Sequence, residues 1–117
     1  MKNFRQLLIW QKGLQIAKDA YKLVASFPGD QKYILSSQIT RAAVSIASNI
    51  AEGSSRSSDK DYGRFLEISL GSAFEMETQL MIAESANFGS KELREALLRD
   101  LNEEQKMLSG FISKIKE

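Results

Sequence analysis

Residues 27–56 read FPGDQKYILSSQITRAAVSIASNIAEGSSR, followed by Ser57-Ser58. A break, a helix and a second break stand there in order. Pro28 pushes Phe27 out of the α region, Gly29 suits a turn, and Asp30 suits an N-cap. The spacing predicts a helix from about Gln31 to Gly53. Ser54–Ser58 is a polar break, and Ser58 with Asp61 has capping-box spacing for the next helix. Working outward, a first helix is predicted over about Phe4 to Ser26 and a third over about Asp59 to Ala86. Asn87-Phe88-Gly89-Ser90 is the last break, with Gly89 as C-terminal cap and Ser90 as N-cap. A fourth helix follows over about Lys91 to Lys116. Helices of this length span roughly 35–42 Å at 1.5 Å per residue. Breaks of four or five residues cannot carry the chain back that far, so neighbours must be antiparallel. The expectation is one all-α domain over residues 1–117, an antiparallel up-down-up-down four-helix bundle.

Composition agrees and narrows the chemistry. Hydrophobic residues make up 43% and charged residues 26%, within the globular range. A single proline, Pro28, leaves long helices uninterrupted. With no cysteine and no histidine, disulfides, thiolate metal sites, Ser-His-Asp chemistry and Glu-x-x-His di-iron sites are excluded in their usual forms. The apolar start Leu7–Trp10 is too short for a signal peptide, and no window approaches a membrane span. A cytoplasmic protein without membrane association is expected. Net charge is +1, but residues 1–56 carry eight Lys/Arg against three Asp/Glu, while residues 57–90 carry two against six. Only the first half has the basic excess that nucleic-acid binding favours.

The second helix has three faces. Leu35, Ile39, Ala42, Ala43, Ile46 and Ile50 form a core stripe. Thr40, Val44, Ala47 and Ala51 form a stripe of small residues. A polar line contains Gln38, Arg41, Ser45, Ser48, Asn49, Glu52 and Arg56. Arg, Ser and Asn are residues that make defined hydrogen bonds when partly buried, whereas a solvated face usually carries Lys and Glu. Three roles are open to the line: a solvated face with an i,i+4 Glu52–Arg56 pair, a polar seam against another helix or subunit, or a ligand pocket. The third helix has a core stripe of Tyr62, Phe65, Leu66, Ala73, Met76 and Leu80, with Leu70, Phe74 and Met81 off to one side. The first helix has an apolar arc wider than one partner needs, on which Trp10 and Tyr21 read as core, with stacking on nucleic-acid bases as the alternative. Such an apolar excess predicts self-association. On the fourth helix Leu97, Leu101, Leu108, Phe111 and Ile115 form a heptad-like seam that only Glu104 interrupts.

The quoted stretch resembles the bacterial four-helix-bundle family encoded in intervening sequences of large-subunit ribosomal RNA genes, some members of which carry a ribosomal-protein-like label. The resemblance rests on Phe27-Pro28, Tyr33, Leu35, Ser37-Gln38, Arg41-Ala42-Ala43, Ser45-Ile46, Ser48-Asn49-Ile50-Ala51-Glu52-Gly53 and Arg56. It continues through Phe65-Leu66, Gly71-Ser72 and Glu77-x-Gln79-Leu80. Two departures stand out: Ala47 where proline is common, and Lys32 where an acid is common. The resemblance implies a bundle that assembles as a homopentamer. The family is also similar to the accessory protein of diversity-generating retroelements, a basic pentamer that binds nucleic acid and a reverse transcriptase. It implies no catalytic activity and no cofactor.

Two non-enzymatic functions follow as expectations. One is a homo-oligomeric accessory protein that binds RNA or another nucleic acid, with Lys12, Lys18, Lys22, Arg41, Arg56 and Arg64 as candidate phosphate contacts. The other is a protein-interaction scaffold whose partner is a protein, nucleic-acid-associated or otherwise. The polar line, in particular Gln38, Arg41, Ser45, Asn49, Glu52 and Arg56, is the candidate oligomer interface or seam. Paired carboxylates for Mg²⁺ chemistry (Glu75 with Glu77, Glu92 with Glu95, Glu103 with Glu104) are a poor prospect: Glu75 and Glu77 do not share a helix face, and Glu92 and Glu95 sit where acids simply complement the helix dipole. The serine-rich break lacks the glycine pattern of a phosphate loop. No catalytic or metal-binding residue is assigned.

Overall fold

In the computed structural model, which describes residues 3–116, four α-helices follow one another: α1 Leu8–Val24, α2 Leu35–Ser54, α3 Asp59–Ser85 and α4 Lys91–Lys116. Each packs against its sequence neighbours, and α4 closes on α1, making a square bundle of 44 × 22 × 20 Å. Cross-helix contacts show the antiparallel order. Gln105 Nε2 donates to Glu77 Oε1 at 2.9 Å, while Lys116 Nζ, one end further along, meets Glu67 Oε1 at 2.6 Å.

The core is the set of stripes read from the sequence. On α2, Leu35, Ile39, Ala42, Ala43, Ile46 and Ile50 are buried, as are Tyr62, Leu66, Ala73, Met76 and Leu80 on α3. Phe65 differs, being half-buried beneath the Arg56 guanidinium, 4.6 Å from its ring centroid. Gly13 and Ala47 bring α1 and α2 close: a Cβ on Gly13 would lie 3.4 Å from Ala47 Cα.

Three boundaries differ from expectation. The chain over Phe4–Gln6 is one 3₁₀ turn, and extended Leu7 separates it from α1. Asp30 does not cap α2. It lies in a second 3₁₀ turn, Gly29–Gln31, and α2 starts at Leu35 behind Ile34, which offers no side-chain cap. The reason is burial: Lys32, Tyr33 and Ile34 are exposed, and most helix stability comes from packing one face. Gly89 is not the C-cap of α3. Asn87 takes the left-handed position at φ 57°, and Phe88 N donates to Ala83 O at 2.9 Å while Asn87 N donates to Glu84 O at 3.1 Å, a Schellman pairing. Gly89 (φ 74°) instead lets the loop press on Phe27, whose Cε1 would lie 2.7 Å from an added Cβ. Ser58 caps α3 as expected, accepting from Asp61 N at 3.1 Å, and Ser90 Oγ accepts from Leu93 N at 3.3 Å.

Candidate functional site

The polar line of α2 divides between neighbours and water. Asn49 Nδ2 donates to Ser45 O at 2.8 Å and to Ser45 Oγ at 2.9 Å. That leaves the Ser45 hydroxyl proton free to donate to Ser72 Oγ of α3, 2.7 Å away. One turn deeper, the buried Ser69 hydroxyl of α3 donates to Ile46 O. These bonds fix the register of α2 on α3. Glu52 and Arg56 form the anticipated i,i+4 pair at 3.3 Å, both exposed. Gln38, Arg41 and Ser48 face solvent.

Beside Ser45 lies a polar cleft of about 360 Å³ between α2 and α3, lined by Gln38, Arg41, Ala42, Ser45, Glu75 and Gln79. Arg41 and Glu75 make no ion pair with any described residue. Gln79 is 7% exposed, and its buried Oε1 has no hydrogen-bond partner among the described residues. Sequence reading passed over Glu75 and Gln79 as parts of this site, because their facing Arg41 is a matter of how α3 is rotated against α2.

The six candidate phosphate contacts do not form one patch. Lys12 turns to α4, where its ammonium meets Glu103 Oε2 at 2.7 Å and Asp100 Oδ1 at 3.4 Å. The Glu103 hydrogen bond raises the Lys12 pKa and lowers that of Glu103. Lys18 is exposed without an ion pair among the described residues, and Lys22 stands 3.9 Å from Asp19. Arg64 lies 3.9 Å from Asp61. Lys18 and Arg41, with no ion pair among the described residues, are therefore the least neutralised of the six.

Two buried charged side chains were not anticipated as structural centres. Arg94, 3% exposed, donates to Phe88 O at 2.5 Å and Gly89 O at 2.8 Å, closing the α3–α4 connection. Glu104 is fully buried, and neither carboxyl oxygen has a hydrogen-bond partner among the described residues. Burial pushes its pKa up to about 8, against the pull of the Lys12 ammonium. The sequence signal for Glu104 was its interruption of the α4 seam. A further correction concerns Tyr21, which is 58% exposed instead of packed in the core, because it lies at the edge of α1's apolar arc, over an open groove beside the start of α2. Trp10 is half-buried against the core, with Phe4 edge-on at 5.1 Å.

Among the described residues no three acidic side chains gather as a metal site, and no helix is long and apolar enough to cross a membrane. An antiparallel bundle with a Ser–Asn–Ser register lock and an open Arg41 cleft defines a class of small four-helix proteins. Within that class, the chain belongs to the 23S rRNA-intervening sequence protein family, which it matches over residues 5–110. It is similar to a protein of unknown function from the S23 ribosomal protein family of Bacteroides thetaiotaomicron, with a TM-score of 0.80 and 28% identity, covering 90% of this chain and 98% of that one. A comparison with curated proteins gives no match.

Proposed function

We propose that this chain is a non-enzymatic protein that associates with copies of itself, in a ring of five by family resemblance, and serves as an RNA-binding accessory. The observation that carries self-association is on α3. Ile68, Phe74, Met81 and Ile82 are each about half exposed, between 49% and 55%. Large apolar side chains spread along an outer helix face are a mark of an interface. The unpaired Arg41–Glu75 cleft lies next to this face and supplies the polar specificity such an interface uses.

RNA as the partner is supported by the basic excess of residues 1–56 and by Lys18, which is exposed and has no ion pair among the described residues. Repetition of a modest basic patch around an assembly multiplies weak phosphate contacts through avidity. Binding of labelled RNA across a salt series tests this reading. A falling log–log slope, reduced by Lys18→Ala, is expected. Salt-independent binding, or none at low salt, contradicts it and favours a scaffold for a protein partner.

A further inference from the structure

Where α1 ends and α2 begins, the bundle carries a groove of about 490 Å³ whose lining includes Tyr21, Val24, Phe27, Pro28 and Lys32. No acidic side chain lines it; its remaining residues are Ala, Gly, Ser and Thr. Tyr21 is 58% exposed, and next to the groove Tyr33 is 83% exposed, with the Lys32 ammonium 5.3 Å from the centroid of its ring. Neither phenol bonds to another described residue, and neither ring is needed by the core. Lys32 is the one charged side chain in the lining, while the exposed Asp30 belongs to the adjoining Gly29–Gln31 turn. Asp19, the acid nearest in sequence to Tyr21, is occupied by Gln15 at 3.0 Å and faces Lys22 at 3.9 Å.

Flat rings presented to water beside unneutralised ammonium groups are the means by which proteins hold single-stranded nucleic acid. Bases stack on the rings whatever their identity, and lysines take the phosphates. We infer that this groove is a single-stranded RNA site, with bases stacking on Tyr21 and Tyr33 and Lys32 contacting the backbone phosphate. The inference rests on the RNA reading above and gives it a location and a substrate form. Lys32, with no acid in the lining, favours a polyanion over an apolar helix, which would leave its ammonium without a counter-charge.

Fluorescence anisotropy with a labelled oligouridylate, using the full chain, tests the site. Both tyrosines are exposed, so their variants keep the fold, which circular dichroism verifies. Tyr21→Ala and Tyr33→Ala are each expected to weaken binding by about 5- to 100-fold, the range of one lost stacking contact, while Tyr→Phe at either position retains it. Lys32→Ala is expected to reduce the salt slope by about 0.7, one phosphate contact on a single strand. Wild-type binding that survives both alanine variants unchanged overturns the groove and leaves the RNA reading standing. No binding by the wild type overturns both. Unchanged RNA affinity with a lowered assembly mass in the tyrosine variants assigns the groove to another copy of the chain and also overturns the inference.

Discussion

Glu104 sits where a leucine would continue the α4 seam between Leu101 and Leu108, with Gly13 of α1 directly opposite. A Cβ on Gly13 would lie 3.1 Å from Glu104 Oε2. With a pKa of about 8, the carboxyl is mostly protonated at neutral pH, whereas in the unfolded chain it ionises near 4.5. Between those values the folded state holds one more proton than the unfolded state. Stability from this group is therefore full below about pH 4.5 and is lost as pH rises towards about 8, by at most about 1.4 kcal/mol per pH unit. Lys12 and Glu103 do not blur this window: the raised Lys12 pKa acts above 10.5 and the lowered Glu103 pKa acts below 4.5. Urea unfolding between pH 5 and 8 should show stability declining with pH, and Glu104→Gln should flatten that decline. A second residue-scale prediction concerns Gly53, which ends the Asn49–Gly53 run. A Cβ there would stand 2.7 Å from Phe65 Cβ, so α2 and α3 would have to part. Gly53→Ala is expected to destabilise the protein by about 1–3 kcal/mol in the same measurement.

At the scale of the element, the connections are held by particular groups. Arg94 satisfies the Phe88 and Gly89 carbonyls from within the core of the α3–α4 turn. Arg94→Met keeps the stem but removes both bonds and should lower stability by about 1.5–3 kcal/mol, read as a shift in urea midpoint. Helix existence, order and core stripes were legible because 3.6-residue periodicity and burial coincide along α2, α3 and α4. Capping at Ser58 and Ser90 was legible because a serine before an apolar run has a defined local geometry. The start of α2 was not, because Asp30 satisfies the local rule while Lys32, Tyr33 and Ile34 gain nothing by winding into a helix against solvent. Nor was the Asn87 C-cap, since Gly89 two residues later suits the left-handed region even better; both take a positive φ, and Gly89 is the one pressed against Phe27. Of the candidate site, the Ser45–Asn49 line could be read from one helix. Its pairing with Ser72, and the company of Arg41, Glu75 and Gln79, depend on the rotation of α3 against α2. Tyr21 shows the same limit, since a wheel places it on an apolar arc without saying where the neighbouring helix stops.

For the whole molecule, the bundle closes its own core and still leaves Ile68, Phe74, Met81 and Ile82 of α3 half in water beside an unpaired arginine. That surplus is explained if copies of the chain cover one another, and the positive half of the sequence is then repeated around the assembly. Charge placed on the face should undo this without touching the core: Phe74→Glu combined with Met81→Glu is expected to yield a folded monomer with weaker RNA binding. Arg41→Ala should lower the assembly mass less completely. The most direct test is the molar mass of the purified chain by size-exclusion light scattering. The account predicts a stable multiple of the 13.1 kDa subunit that collapses to one subunit in the Phe74→Glu, Met81→Glu variant. A wild-type protein that elutes as a single 13.1 kDa species at all concentrations would contradict it.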